Sequence, residues 1–354
     1  MESPASQLSR QIRSALTDAG FSKIGIAPAV SPTGFHKLVE WLAAGYAADM
    51  NWMEHRLEAY RHPDGVMQGV GSVIMAAMNY HRPENSEEAS ADTSPRIASY
   101  TFGATDYHDF LKKRMRPTAN LIRSVNPHEK SRIVVDTAPL LERDFARLAG
   151  IGWFGKNTML INRQVGSWFL LGAILTTAVL EYDAPFESDH CGTCTRCLDA
   201  CPTDAFPSAG VLDAGKCISY QTIENRTSDI PEHLRTSLGP WLFGCDICQD
   251  VCPWNRFAPE CDDPELYTNR HLQELSCLDV LMLDEDGFRA AFLGTAMFRT
   301  GRPAVVRNAA IVAANLNLMH CVDQLKALLA DPELMVREAA SWALNKLQTS
   351  AKSR

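Results

Sequence analysis

A cysteine-rich segment reads Cys191-Gly192-Thr193-Cys194-Thr195-Arg196-Cys197-Leu198-Asp199-Ala200-Cys201-Pro202, continues to Cys217, and closes with Cys245-Asp246-Ile247-Cys248-Gln249-Asp250-Val251-Cys252-Pro253. Its eight cysteines match the spacing of two-cluster ferredoxins, in which three cysteines of a run hold one 4Fe-4S cluster and the fourth crosses to the other. A proline follows the closing cysteine of each run, as in the ferredoxin signature. The segment therefore predicts a ferredoxin-like domain with two 4Fe-4S clusters.

The crossing rule assigns the ligands of each cluster. We expect the first cluster on Cys191, Cys194, Cys197 and Cys252, and the second on Cys201, Cys217, Cys245 and Cys248. Cys217 takes the place of the usual first cysteine of the second run. Two structural zinc sites are the alternative, since zinc also binds closely spaced cysteine pairs. Three cysteines with two-residue spacings are rare in zinc modules, so the sequence favours clusters.

The chain has 354 residues, 46% of them hydrophobic, which is enough for two or three domains with their own cores. Its N-terminus shows neither an apolar signal-peptide core nor a twin arginine, and no run reaches the ~18 apolar residues of a membrane span. Together with reduced thiols, these features predict a cytoplasmic protein. We expect a monomer, and we expect Cys261, Cys277 and Cys321 to be ordinary thiols.

The N-terminal half alternates predicted helices and strands. Helices are expected at residues 7–19, 35–44 and 139–149, and strands at 23–27, 72–79, 133–135, 158–161 and 168–176, the last two as a hairpin. A polar loop is expected at residues 82–95. The expected fold is a multidomain protein of α/β and α+β type: an α/β domain at 1–182, the cluster domain at 183–262 and a helical region at 263–354.

The C-terminal region repeats itself. Residues 306–310, Val-Arg-Asn-Ala-Ala, return thirty residues later as Val-Arg-Glu-Ala-Ala at 336–340, which predicts two stacked helical hairpins of HEAT type. Residues 299–354 carry eight Lys and Arg against four acids, although the whole chain has a net charge of −8. We therefore expect Arg307, Arg337 and the basic stretch 112–116 to contact nucleic-acid phosphates. A structural cap with a merely solvated surface is the alternative.

Three polar features of the N-terminal half are candidates for chemistry. Asp136 directly follows a predicted strand, where α/β folds present functional side chains, but its place before Pro139 also fits a helix N-cap. The loop 152–158 lacks the spacing of a nucleotide-phosphate loop, so we interpret it as a tight turn with polar side chains. Asp106-Tyr107-His108 precedes four basic residues and is either an acid–base group or a helix start.

Together these motifs resemble the epoxyqueuosine reductase family. The resemblance rests on Asp136-Thr137-Ala138-Pro139-Leu140-Leu141-Glu142-Arg143, on Gly152-Trp153-Phe154-Gly155-Lys156-Asn157-Thr158, on the eight cysteines and on the C-terminal repeat, and it covers nearly the whole chain. It implies a cobalamin-dependent enzyme whose two clusters deliver electrons to cobalt. The oxygen of epoxyqueuosine, at the wobble position of tRNA, would leave as water. The sequence contains no Asp-x-His-x-x-Gly motif, which supplies a cobalt ligand in another cobalamin class, and the resemblance implies binding without that ligand.

The same resemblance implies roles for individual residues. Asp136 corresponds to the general acid, and an apolar cofactor pocket is expected to raise its pKa enough to hold a proton near neutral pH. Corrin contacts are implied for Arg56, Tyr107, Asp136, Lys156, Asn157, Thr158, Ser219 and Asp246. The last two lie in the cluster domain, so the cofactor is expected between the two domains. The implied partners are tRNA and an external electron donor.

Two other functions stay open at the level of sequence. A corrinoid reductive dehalogenase would share the cofactors, but those respiratory enzymes typically carry a twin-arginine signal, which this N-terminus lacks. An electron-transfer module without a substrate of its own would need only the clusters. Corrinoid absorption beside that of the clusters would distinguish an enzyme from such a carrier.

Overall fold

The computed structural model describes residues 3–82 and 94–352, so most of the polar loop predicted at 82–95 lies outside the described residues. The strands are β1 (Lys23–Pro28), β2 (Ser72–Asn79), β3 (Arg96–Ile97), β4 (Ser131–Val134), β5 (Trp153–Phe154), β6 (Leu160–Ile161), β7 (Phe169–Thr176) and β8 (Trp241–Phe243). The N-terminal helices are α1 (Pro4–Asp18), α2 (Phe35–Ala43), α3 (Asn51–His55), α4 (Leu57–Tyr60), α5 (Tyr107–Val125) and α6 (Glu142–Leu148).

The remaining helices are mostly short until the C-terminal region. They are α7 (Arg196–Asp199), α8 (Ile218–Ile223), α9 (Glu232–Arg235), α10 (Ile247–Asp250), α11 (Arg270–Gln273), α12 (Cys277–Leu281), α13 (Glu285–Phe292), α14 (Arg302–Asn315), α15 (Val322–Ala327) and α16 (Leu334–Lys352). Short 3-10 turns occur at Pro63–Gly65, Ser99–Thr101, Ala214–Lys216, Thr236–Leu238, Pro253–Asn255, Pro264–Leu266, Ala296–Thr300, Met319–Cys321 and Leu328–Ala330. Within the described part of the chain, no helix is both long and apolar enough to span a membrane.

The largest sheet has four strands in the order β1-β2-β7-β4, and every neighbouring pair is antiparallel. Pro28 at the end of β1 faces Ser72 at the start of β2, so residues 29–71 leave and re-enter the sheet at the same end. The α/β prediction is wrong in this respect, because alternating helices and strands do not by themselves determine strand direction. The N-terminal region is α+β.

Helices cover both faces of this sheet. Helices α1 and α5 pack on one face, where Ile12 and Met115 share a core with Ile74 of β2. Helix α6 packs on the other face, where Phe145 joins Met75. Burial on both faces explains why β2 is a continuous apolar run, and the strand predicted at 72–79 is confirmed residue for residue.

The predicted hairpin of residues 158–161 and 168–176 is wrong. Strand β6 pairs with β5, and β7 pairs with β2 and β4. Only an isolated bridge between Asn162 and Gly166 closes the turn. The Oδ1 atom of Asn162 accepts hydrogen bonds from the backbone N–H groups of Gln164 and Val165, which winds the chain into a tight Asx turn.

Helix α14 is the centre of the C-terminal core, and its residues from Ala304 to Ala314 are all buried. It packs against α12, α16 and β8, so the two halves of the sequence repeat, α14 and α16, are in contact. The same core contains Ile230 and Trp241, which precede residue 263. Residues 183–262 and 263–354 thus share a core, and both the three-domain division and the HEAT-type interpretation stay predictions.

Candidate functional site

Four cysteines from the two ends of the cysteine-rich segment meet at one cavity. Cys191, Cys194, Cys197 and Cys252 line this cavity, whose volume is about 320 Å³. They are the set that the crossing rule assigns to the first cluster. Four thiols around one space, with no disulfide among the chain's eleven cysteines, suit the donor set of a cubane.

The cysteines of the second set are half-buried. Burial raises the pKa of the thiols of Cys217, Cys245 and Cys248, and the neighbouring thiols of Cys217 and Cys201 add to the shift at Cys245. Cys197 of the first set also contributes to the raised pKa of Cys248, so the two sets lie next to each other. A bound iron–sulfur cluster would supply the positive charge that favours the thiolate form of such buried cysteines.

The loop 152–158 donates hydrogen bonds to the backbone of both cysteine sets. Lys156 Nζ donates to the carbonyl oxygens of Gly192 and Cys194, at 2.7 and 3.0 Å. Asn157 is buried, and its Nδ2 donates to the carbonyl oxygen of Cys248 at 3.1 Å. Gly152 is required here, because a Cβ at that position would lie 2.1 Å from the carbonyl oxygen of Ile161. The interpretation as a tight turn with polar side chains is confirmed, and the polar side chains hold the cysteine loops.

Asp136 lies two residues beyond the end of β4. Its backbone is left-handed, with φ of 58°, and its side chain is 62% exposed. Asp136 Oδ2 lies 3.2 Å from Nε2 of His108 in the first turn of α5. The N-cap interpretation is wrong, because α6 begins at Glu142 and Leu141 occupies the N-cap position.

His108 is the buried centre of a charge network that joins the N-terminal and C-terminal regions. Its Nδ1 lies 2.7 Å from Oδ1 of Asp106, which also caps α5 by accepting from the backbone N–H of His108 at 3.0 Å. Arg299, from the 3-10 turn before α14, donates to Asp106 Oδ2 at 2.9 Å and also contacts the His108 ring. The motif Asp106-Tyr107-His108 is therefore both a helix start and part of a polar site.

The network sets the protonation of its members. Burial opposes the charge of Asp106, but hydrogen bonds from His108 outweigh it and lower the pKa of this carboxyl to about 2. Burial likewise opposes the charge of His108, but its bonds to Asp106 and Asp136 raise the imidazole pKa. At Asp136 the bond with His108 and the charges of Arg299 and Arg143 outweigh burial and lower the pKa. This direction is opposite to the upward shift that the sequence predicts for Asp136.

Comparison with known proteins identifies the family. The chain is 36% identical to an epoxyqueuosine reductase of Xanthomonas campestris pv. campestris over 338 residues, which cover 94% of both chains. The chain belongs to the epoxyqueuosine reductase family. It is 40% identical over 292 residues to the epoxyqueuosine reductase of Synechocystis, covering 80% of this chain and 97% of that relative. Like these relatives, it is an oxidoreductase.

Family models and solved structures agree with this assignment. Residues 61–137 match the model described as epoxyqueuosine reductase QueG, DUF1730, and residues 190–255 match a 4Fe-4S double cluster binding domain. A solved epoxyqueuosine reductase with an epoxyqueuosine-modified tRNA-Tyr stem loop superposes with a TM-score of 0.89 at 28% identity, covering 96% of this chain and 90% of that chain. The Bacillus subtilis epoxyqueuosine reductase, whose catalytic aspartate loop is swung out of the active site, gives a TM-score of 0.88 at 28% identity with the same coverage.

The residues implied for corrin binding in this family fall into two groups. The side-chain hydroxyls of Tyr107, Thr158 and Ser219 have no hydrogen-bond partner among the described residues, so they are available to a ligand. Asp246 is buried and accepts from Ser99 N and Oγ, both at 2.7 Å. Asp246, like the loop 152–158, therefore stabilises the walls of the site.

Arg56 lies between α3 and α4 and contacts the loop that carries Asp136. Its Nη1 donates to the carbonyl oxygen of Thr137 at 3.3 Å, and the side chain lies on the surface. Thr158 adopts a left-handed φ of 64°, and its carbonyl oxygen accepts from Arg143 at 3.2 Å. A β-branched residue rarely adopts that conformation, which points to strain at the edge of the site.

Two basic residues of the C-terminal tail are buried inside the protein. Arg307 has 0% exposure, and its guanidinium donates to the carbonyl oxygens of Gln221, Asn225 and Ser228. Arg302 is also buried, in an ion pair with Asp331. The predicted contact of Arg307 with nucleic-acid phosphates is wrong, because the helix that carries it is covered on every side.

The basic stretch 112–116 is only partly available. Arg114 pairs with Asp263 at 2.6 Å and with Glu265 at 3.1 Å. Lys113 and Arg116 are exposed. Their contact with phosphates stays a prediction.

The sequence missed two members of the site. In the sequence Arg299 is one basic residue of the C-terminal tail, whereas in the structure it binds Asp106, 193 positions away. Glu142 appeared only within the family motif, although its Oε1 accepts from the backbone N–H of Asp136 at 2.7 Å. No local pattern reveals the contact of Arg299 with a distant segment, and the contact of Glu142 depends on the left-handed turn at Asp136, which the sequence does not specify.

Proposed function

We propose that this chain reduces epoxyqueuosine to queuosine at the wobble position of tRNA, in the cytoplasm. The observation that carries the proposal is the family identity over 94% of the chain, supported by a solved relative with an epoxyqueuosine-modified tRNA stem loop. The reaction removes the epoxide oxygen: two electrons and two protons enter, the two C–O bonds break, a C=C bond forms and water leaves. The protein must therefore deliver electrons and protons to one place.

We propose cobalamin as the cofactor at this place, bound between the N-terminal region and the cluster domain. Tyr107, Thr158 and Ser219 would contact its amide side chains, and Arg56 would cover the side of the cofactor that faces solvent. Asp136 would lie next to the cofactor and face the substrate. When bound, cobalamin supplies a strongly reducing, nucleophilic cobalt centre suited to opening a strained ring.

The cysteine sets are proposed as the electron path. Cys191, Cys194, Cys197 and Cys252 would hold the outer cluster, and Cys201, Cys217, Cys245 and Cys248 the inner one. The inner set lies beside Ser219 and Asp246, whereas the loop of the outer set exposes Gly192, Thr193 and Arg196. Electrons would therefore enter at the outer cluster and leave from the inner cluster toward the cofactor.

One of the two protons would come from the Asp136–His108 pair, and the second from water. The raised pKa of His108 and the lowered pKa of Asp136 mean that the pair retains one proton between two atoms 3.2 Å apart. For such a coupled pair the proton count matters more than which atom carries the proton. Asp136, the exposed member, would donate it to the departing oxygen while Asp106 and Arg299 keep His108 in place.

A turnover assay tests this function. Anaerobic protein with reconstituted clusters, given a chemical reductant and tRNA that contains epoxyqueuosine, should form queuosine only when cobalamin is added. Mass spectrometry of the digested nucleosides measures the product. Equal conversion without cobalamin would show that cobalamin is not the cofactor. If protein loaded with clusters and cobalamin forms no queuosine, the proposed function is wrong.

Glu142 is proposed as the residue that positions the Asp136 loop. Its Oε1 holds the backbone N–H of Asp136 at 2.7 Å, where the chain is in a left-handed turn. Burial and the charge of Asp136 raise the pKa of Glu142 to about 8, so this carboxyl is neutral at neutral pH. In the Bacillus subtilis relative the catalytic loop is swung out. Glu142 would favour the inward position here.

Replacement of Glu142 separates its hydrogen bond from its charge. Glu142→Ala should lower kcat roughly 5- to 15-fold, because a lost hydrogen bond costs about 1–1.5 kcal/mol. Glu142→Gln keeps the acceptor and cannot ionise, so kcat at neutral pH should stay close to that of the wild type. Above a pH of about 8 the wild type should lose activity as Glu142 ionises beside Asp136, and the Gln variant should not.

The measurement is kcat and KM for both variants across neutral and alkaline pH, with cluster absorption as the check on loading. If Glu142 had a purely structural role, both variants would have a lower kcat, and both would lose activity above a pH of about 8 as the wild type does. That result would contradict the positioning role.

A further inference from the structure

Four basic side chains line two adjoining cavities at the outer cysteine set, Cys191, Cys194, Cys197 and Cys252. Lys156, Arg163 and Arg256 line the cavity of about 320 Å³ that contains Cys191, Cys194, Cys197 and Cys252. Arg196 and Arg256 line an adjoining cavity of about 530 Å³, which shares Cys252 and Pro253 with the first. We name Lys156, Arg163, Arg196 and Arg256 the basic rim.

The charge of the basic rim runs against that of the whole chain. Its four cations face two acids among the residues that line the two cavities, Asp199 and Asp250, whereas the chain carries a net charge of −8. Arg163, Arg196 and Arg256 are exposed. A local positive field of this kind attracts an acidic partner and speeds its encounter.

An exposed aromatic ring completes the surface. Phe257 is 76% exposed and lines the same cavity, with the Arg256 guanidinium 4.5 Å from the centre of its ring. Aromatic and arginine side chains are enriched at protein interfaces and often contribute most of the binding energy. The rim therefore combines charge for attraction with an apolar contact for docking.

We propose that the basic rim and Phe257 form the docking surface for an acidic one-electron carrier protein. The proposal rests on the proposed function, in which electrons enter at the outer cluster. Each encounter passes one electron from the reduced carrier to the oxidised outer cluster, so two encounters supply the two electrons of one turnover. tRNA is a less suitable occupant, because it must reach Asp136, and none of the residues bound to Asp136 lines either cavity.

The test measures cluster reduction without any tRNA substrate. Reduced flavodoxin, an acidic flavoprotein, is mixed anaerobically with the holoprotein, and the bleaching of cluster absorption gives a second-order rate constant. The double variant Arg163→Glu/Arg256→Glu should lower this constant about tenfold or more at low salt, and rising salt should lower it in the wild type. Reduction by dithionite, a small reductant that needs no docking, should be the same in both proteins.

Matched controls decide the outcome. The double variant Arg123→Glu/Arg270→Glu makes the same charge change at exposed arginines that line neither cavity, and it should keep the wild-type rate with flavodoxin. An equal loss in both double variants would show a general charge effect and overturn the proposal, as would weaker binding of an epoxyqueuosine tRNA stem loop by the rim variant alone. Failure of the proposed function would appear separately, as absent turnover with dithionite.

Discussion

Asp136→Asn should lower turnover of epoxyqueuosine by about 100- to 10,000-fold, because positioned proton transfer contributes that much to rate. The amide cannot share the proton that the Asp136–His108 pair holds across 3.2 Å. In the proposed function, electron delivery to the cofactor does not depend on this side chain. The variant should therefore bind its clusters, cobalamin and tRNA as the wild type does, and stop at the step that needs the proton.

Asparagine is the suitable replacement because of the backbone at this position. Asp136 has φ of 58°, and asparagine adopts that left-handed conformation more readily than other residues with a Cβ. Its Oδ1 can still accept from His108. Asp136→Ala, by contrast, would combine the loss of the carboxyl with backbone strain of about 1 kcal/mol or more.

Turnover and thermal stability should be measured on the same preparations of the variant. We expect Tm to change little while queuosine formation nearly stops, with cluster and corrinoid spectra intact. Turnover close to that of the wild type, with full cofactor loading, would show that Asp136 is not the proton donor.

The sequence predicted the parts of this protein that depend on spacing along the chain. Four cysteines that the crossing rule groups together, three at 191–197 and the distant Cys252, line one cavity. The strand at 72–79 was also predicted correctly, since burial on both faces leaves a continuous apolar run. The strand signal lies within eight consecutive residues, and the cysteine signal lies in a regular spacing that spans residues 191–252.

The electrostatics of the candidate site could not be read from the sequence. An apolar pocket was expected to raise the pKa of Asp136, and the structure lowers it because His108 and Arg299 bring positive charge. His108 is 28 positions away, and Arg299 comes from the opposite end of the chain. The pKa of a side chain depends on such neighbours as much as on burial.

The C-terminal repeat shows why counting charges misleads. Arg307 and Arg337 occupy equivalent places in the repeat, and the sequence alone treats them as equal. Helix α14 lies in the centre of the core and encloses Arg307, whereas Arg337 lies near the start of α16 and is partly exposed. Which helix is internal is decided by packing against α8, α12 and β8, and the repeat itself does not contain that information.

Arg307→Glu should therefore unfold the protein or leave it insoluble. The guanidinium has 0% exposure and donates to three backbone carbonyls and to Asn308 Oδ1. A carboxylate there would face acceptors only, and an uncompensated buried charge costs about 3–5 kcal/mol. That is a large fraction of the roughly 5–15 kcal/mol that stabilises a typical fold.

Arg337→Glu is the matched control for this effect. Arg337 donates to the carbonyl oxygens of Asp331 and Pro332, which precede α16, and a glutamate in the first turns of a helix interacts favourably with the helix dipole. The cost should stay within about 1 kcal/mol, as for most partly exposed substitutions. Anaerobic thermal and urea unfolding of both variants measures the difference. An Arg307→Glu protein that folds with the Tm of the Arg337→Glu protein would mean that Arg307 is reachable from solvent, and its role in phosphate binding would have to be considered again.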